Sequence, residues 1–210
     1  MFGVILGSLS SVLGVVAKLM PTLVKIVGTE LVTFAKALEA FFRVLGLLKP
    51  DEQVEEIGDK ALQAEKDEVS PIQVKDFDSH EKYLEKLAEY EADSEKSALT
   101  TQDAKLQKGL EIMMGLAIEI FGGKMSELYL IFLKNPAFYS VDGRLEGIAH
   151  AVQSDKEILQ DIAGYISGKS SDSIRNDRAF DALFDVEKNV HPYASDREIS
   201  SIVENMREKK

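Results

Sequence analysis

The chain contains no cysteine and no tryptophan among its 210 residues. Without cysteine it cannot form a disulfide, use a thiol in chemistry or build a cysteine-ligated metal site. Histidine is scarce as well, because His80, His150 and His191 fall in separate segments without metal-binding spacing. There is also no phosphate-binding loop, nucleophile elbow or paired-carboxylate motif. The sequence therefore predicts a protein that is not an enzyme, with no cofactor, no metal site and no small-molecule substrate.

Positive charge is in short supply, since 25 Lys and Arg residues face 36 Asp and Glu residues, for a net charge of −11. Nucleic acid is not expected as a partner, because phosphate binding requires clustered cations. The imbalance is uneven: residues 1–49 carry +3 (five basic, two acidic), residues 50–103 carry −11 (six, seventeen) and residues 104–210 carry −3 (fourteen, seventeen). This pattern predicts a hydrophobic membrane or assembly region at 1–49, an acidic helical arm or linker at 50–103 and a compact helical domain at 104–210.

The first 49 residues are mostly apolar or small, in contrast to the polar chain that follows. Residues 2–24 hold one charged residue, Lys18, and are long enough to span a bilayer. Residues 31–48 carry three charges and are typical of an interfacial helix. A signal peptide is disfavoured, because no basic residue precedes the apolar run. The alternative to membrane association is a buried core helix in a helical bundle.

A basic stripe is predicted if these residues form one continuous helix. Lys18, Lys25, Lys36 and Arg43 are separated by seven, eleven and seven residues. At 3.6 residues per turn, these steps return to nearly the same side of a helix. Pro21 lacks a backbone donor and clashes with the preceding turn, so the segment is either one kinked helix or a pair of helices. Only the first arrangement aligns all four cations.

Small residues near the N-terminus predict a close helix–helix contact. Gly3 and Gly7 form a G-x-x-x-G pair, which Ser11 extends by one further turn. This spacing lets two helix backbones approach closely. We therefore predict a helix-packing role for Gly3, Gly7 and Ser11.

Helical spacing of apolar residues continues through the rest of the chain. Ser79 is a candidate N-cap, and capping boxes pair Ser154 with Glu157 and Ser195 with Glu198. The sequence thus predicts an all-α fold, with a long hydrophobic N-terminal helix or kinked helix pair, an acidic helical arm and a small multi-helix domain.

Two functions fit this pattern. The first is a membrane-associated, homo-oligomeric assembly protein with lipid as a partner, for example a pore or a secretion or translocation component. The second is a soluble helical structural or interaction protein that buries residues 1–49 in its own core or in a subunit interface. The first interpretation predicts that residues 50–210 fold alone, whereas the second predicts that they unfold without residues 1–49.

Overall fold

The computed structural model describes residues 9–207 and shows an all-α fold, as predicted. The first six helices are α1 Leu9–Leu23, α2 Gly28–Val44, α3 Val54–Ala64, α4 His80–Ala88, α5 Ser94–Ala98 and α6 Gln102–Phe121. The next six are α7 Gly123–Lys134, α8 Pro136–Tyr139, α9 Arg144–Ser154, α10 Ile158–Ile166, α11 Ser173–Val190 and α12 Asp196–Met206. A short 3-10 turn, Val74–Asp76, precedes α4.

The N-terminal apolar segment forms two helices, so the single long helix is not confirmed. Helix α1 continues through Pro21 to Leu23, since the proline removes only one hydrogen bond near the end of the helix. The interruption lies at residues 24–27, and α2 then begins at Gly28, whose φ of +61° lies in the left-handed region that glycine adopts at little cost. The Gly28 amide donates to both carboxylate oxygens of Asp103, at 3.0 and 3.2 Å. Asp103 therefore satisfies the first free amide of α2 from the start of α6.

The inner faces of α1 and α2 lie in the chain's own core. Helix α1 packs against α6 and α7, and α2 packs against α6, α8 and α9. Phe41 and Phe42 meet Tyr129 of α7 edge to face, with ring centroids 6.2 and 6.3 Å apart. The buried apolar residues of this segment are Leu9, Val12, Val16, Leu19, Leu23, Ile26, Leu31, Phe34, Ala35, Leu38, Phe41, Phe42 and Leu48.

Helix α6 is the centre of the molecule. It contacts α1, α2, α3, α4 and α7, and it is buried on nearly all sides from Leu106 to Glu119. Its sequence explains this position, because a helix that is apolar almost all round must be covered by neighbours. One hydrophobic cluster joins α6 to α1, α2, α7 and the helices from α9 to α12.

Two glycines bring the backbones of α3 and α6 into contact. A Cβ atom at Gly58 would lie 1.8 Å from the Lys105 carbonyl oxygen, and one at Gly109 would lie 1.9 Å from the Val54 carbonyl oxygen. No side chain fits at either position, so only glycine allows this crossing. The close approach fixes α3 firmly on the central helix.

The acidic segment 50–103 packs on α6 through α3 and α4. A second apolar cluster there contains Ala61, Ala64, Tyr83, Leu87 and Ile112. Two lysines of α6 pair with acids of α3 and its C-terminal cap: Lys108 with Glu65 at 2.6 Å, and Lys105 with Asp59 at 3.6 Å. The predicted division of the chain into segments 1–49, 50–103 and 104–210 stays a prediction.

A buried ion pair joins α9 to α11. Arg144 meets both carboxylate oxygens of Glu187, with Nε–Oε1 at 2.5 Å and Nη2–Oε2 at 2.7 Å, and both side chains are buried. Arg144 also donates to the Phe138 carbonyl and lies over the Phe138 ring at 3.9 Å. His191 contacts the pair from the end of α11, with its Nε2 3.5 Å from Glu187 Oε2. In this bidentate ion pair each buried charge compensates the other, and the pair joins α9 to α11.

Candidate functional site

A cleft of about 820 Å³ opens between the C-terminal end of α2, the α2–α3 loop, α3, α4 and α6. Its floor is apolar and its rim is charged. The floor residues are Leu47, Leu48, Ile57, Leu84, Leu87, Met113, Leu116 and Ile120. The charged residues of the rim are Arg43, Lys49, Glu52, Glu56, Lys60, Glu81 and Glu85. The volume lies within the range of ligand-binding clefts in proteins.

The α2–α3 loop is shaped by a glycine-dependent helix end. Gly46 has a φ of +74°, its amide donates to the Arg43 carbonyl at 3.0 Å, and the Leu47 amide donates to the Phe42 carbonyl at 2.9 Å. These two bonds define a Schellman motif, which reverses the chain after α2. The reversal places Leu47 and Leu48 along the cleft.

Side chains of α2 tie this loop to the start of α3. Glu39 accepts a hydrogen bond from the Val54 amide at 2.9 Å, and Arg43 donates to the Glu52 carbonyl at 2.8 Å. Glu39 and Arg43 lie 3.5 Å apart and hold each other in position. Arg43, one of the four cations of the predicted stripe, therefore stabilises the wall of the cleft.

Helix α4 is attached to α6 by a buried carboxylate. Glu119 Oε2 accepts from the His80 amide at 3.0 Å and lies 2.7 Å from His80 Nδ1. The His80 ring rests on Gly115, where a Cβ atom would come within 2.3 Å of Nε2. Ser79 caps α4 by accepting from the Lys82 amide at 3.2 Å, as predicted. These contacts fix the helix that carries Glu81, Leu84 and Glu85 into the cleft.

The charges of the rim are unevenly compensated. Glu52 pairs with Lys49 at 2.8 Å, and Lys60 donates to the Ala88 carbonyl at 3.5 Å. Within the part of the chain that the structure describes, Glu56, Glu81 and Glu85 form no ion pair. The rim thus offers three carboxylates to a cationic group.

The polar groups that line the cleft are carboxylates, amines, a guanidinium and an amide. Among the described residues that line the cleft, none carries a hydroxyl, thiol or imidazole group. The lining therefore provides none of these groups as a nucleophile or as an acid–base catalyst with a pKa near neutrality. Residues 9–207 also contain no group of three or more His, Asp or Glu side chains arranged to hold a metal ion.

The predicted basic stripe does not lie on one helix. Lys18 belongs to α1, Lys25 to the connection, and Lys36 and Arg43 to α2. Lys18, Lys25 and Lys36 are exposed, whereas Arg43 is half-buried beside Glu39. The alignment required a continuous helix, and residues 24–27 interrupt it.

The predicted N-terminal helix contact stays a prediction. Gly3 and Gly7 lie outside the described residues, and Ser11 is exposed on α1.

Sequence reasoning missed the contact between Gly58 and Gly109. A signal existed, because glycine inside a helix costs roughly 1 kcal/mol relative to alanine and so requires a packing reason.

Within residues 9–207, no helix combines the length and apolarity needed to cross a lipid bilayer. Comparisons with protein-family models, curated proteins and solved structures found no match to this chain.

Proposed function

We propose that this chain is a non-enzymatic helical interaction protein that binds an apolar and basic protein segment in the cleft between α2, α3, α4 and α6. The observation that supports this proposal is the apolar floor beside three carboxylates that form no ion pair with any described residue. An amphipathic helix binds such a groove by burying its apolar face, while charges at the rim select the partner.

The floor offers apolar surface that a partner can cover. Ile120 is 40% exposed, and Leu47, Ile57 and Leu84 are half-buried. Burying such side chains contributes roughly 25 cal/mol per Å² of apolar surface. The walls are held by the contacts of Glu39, Arg43 and Glu119, so little ordering free energy is lost on binding.

Burial of the N-terminal helices favours this function over membrane assembly. The inner faces of α1 and α2 are covered by α6, α7, α8 and α9, which is the arrangement that the second interpretation of the sequence required. The pore and translocation functions stay predictions.

Calorimetric titration with a designed helical peptide of leucine and lysine tests the proposal. We expect the wild-type chain to bind it and Ile120→Asp to bind it at least roughly fivefold more weakly, because the floor gains a charge. Leu130→Asp is the matched control, since Leu130 is 37% exposed on α7, outside the cleft.

The rim is tested separately. Glu81→Lys with Glu85→Lys should weaken peptide binding about tenfold, because two attractive contacts become repulsive. Glu146→Lys is the control, since Glu146 is an exposed acid in the first turn of α9, as Glu81 is in α4. No binding to the wild-type chain, or equal losses in variants and controls, contradicts the proposed function.

A further inference from the structure

We propose that the occupant of the cleft is the α1–α2 corner of a second copy of this chain, so that copies join head to tail. The corner comprises residues 24–27, with Lys18 on the exposed side of α1 just before it. The inference rests on the proposed function, because it names the partner of the same cleft.

The corner combines exposed apolar side chains with exposed lysines. Val24 and Val27 are 48% and 56% exposed, and Lys25 lies exposed between them. Lys18 adds a second cation, while Glu30 in the first turn of α2 and Asp103, which accepts from the Gly28 amide, are the nearby acids. Two valines suit an apolar floor, and two lysines suit a rim with three carboxylates that form no ion pair within residues 9–207.

The corner is held rigidly by the start of α6. Ile26 is buried and its carbonyl accepts from the Gln107 side chain at 3.3 Å. The Gly28 amide is bound by Asp103. A surface that is already ordered loses little conformational entropy on docking.

The corner and the cleft lie at opposite ends of the same helices. Helix α2 begins at the corner with Gly28 and reaches the cleft at Arg43, which is a length of about 22 Å at 1.5 Å per residue. Helix α6 repeats this relation, because Asp103 binds the corner and Ile120 lines the cleft. A chain therefore cannot fill its own cleft, and the two unlike surfaces generate a ring or an open filament.

Charge reversal and mixing test this inference on the full-length chain. The cleft variant carries Glu81→Lys and Glu85→Lys, and the corner variant carries Lys18→Glu and Lys25→Glu. All four residues are exposed, so both variants should retain the wild-type circular dichroism spectrum. We expect sedimentation velocity to show wild-type assemblies that dissociate at high salt.

Each variant alone should associate about tenfold more weakly, because its corner and its cleft then carry like charge. An equimolar mixture should assemble again, since each altered surface then meets a surface of opposite charge. Glu30→Gln should tighten the wild-type assembly by removing one of the two acids beside the corner. Glu146→Lys and Lys75→Glu, at exposed positions that belong to neither the cleft lining nor the corner, serve as controls.

Val24→Asp tests the apolar part of the corner, with Val69→Asp as a control at an exposed loop position. Only the first should weaken assembly, because only it places a charge against the floor.

Other outcomes overturn the inference. If the wild-type chain is monomeric but binds the leucine–lysine peptide, the cleft serves another partner and the proposed function stands. If assembly survives both charge reversals, copies join through another face. If the corner variant loses binding to vesicles with about 30% phosphatidylserine while its assembly is unchanged, the corner is a lipid-binding surface.

Discussion

Replacing Gly58 with alanine should separate α3 from α6 and destabilise the protein by about 3 kcal/mol. The new Cβ would lie 1.8 Å from the Lys105 carbonyl oxygen and 2.7 Å from the Gly109 amide nitrogen, whereas ordinary contacts begin at 3.4 Å. Both neighbours are backbone atoms and cannot rotate away. Helix α3 must therefore move out by about 1.5 Å, and gaps of this size forfeit much of the dispersion energy between the helices.

A second alanine substitution isolates the effect of the contact. Gly14 lies exposed inside α1, and a Cβ atom there would meet no other atom within 4 Å, so Gly14→Ala should stabilise the protein by up to about 1 kcal/mol through helix propensity alone. Urea unfolding followed by circular dichroism at 222 nm gives both free energies. Equal effects of the two substitutions would refute the contact between the α3 and α6 backbones. Because α3 forms one wall of the cleft, Gly58→Ala should also weaken peptide binding.

The remaining predictions concern the core. Arg144→Met should cost about 3–5 kcal/mol in urea unfolding because it leaves Glu187 buried without a counter-charge, and adding Glu187→Leu should recover much of that loss. Tyr129→Phe should be neutral or stabilising by up to about 1 kcal/mol, because the buried hydroxyl has no hydrogen-bond partner among the described residues. Burial raises the pKa of the Tyr83 hydroxyl in the folded protein, so the neutral hydroxyl contributes to stability below about pH 10. This contribution is lost as the pH rises further, because the unfolded chain ionises at a lower pH than the folded protein. Tyr83→Phe should flatten that decline in stability, as measured by thermal melting at different pH values. A chain of residues 50–210 should show no cooperative thermal transition, because it lacks apolar burial worth roughly 20 kcal/mol against a net stability of about 5–15 kcal/mol.

The helices could be predicted from local features such as N-caps and the spacing of apolar residues. Features that depend on tertiary contacts could not. Ser195 and Glu198 form the predicted capping box, because both partners lie within four residues of each other. Ser154 and Glu157 do not, since Ser154 instead ends α9 and Asp155 accepts from the Glu157 amide. The cleft could not be predicted, because its walls come from four helices.

The location of residues 9–49 was ambiguous for a thermodynamic reason. Moving an apolar side chain out of water is favourable whether it enters lipid or a protein interior. Composition therefore cannot distinguish a bilayer segment from a core helix. The decisive contacts are Phe41 and Phe42 with Tyr129, which lies more than eighty residues along the chain.

The same arrangement has a consequence during synthesis on the ribosome. Helices α1 and α2 are translated before their partners α6 and α7, which end only at Phe121 and Lys134. At about 5–20 residues per second, the apolar faces of α1 and α2 wait for roughly 4–18 s before their core partners exist. During that interval the nascent chain presents an uncovered hydrophobic segment, which is the feature that ribosome-associated chaperones and targeting factors bind. The order of the helices along the chain thus leaves the apolar faces of α1 and α2 uncovered until α6 and α7 have been synthesised.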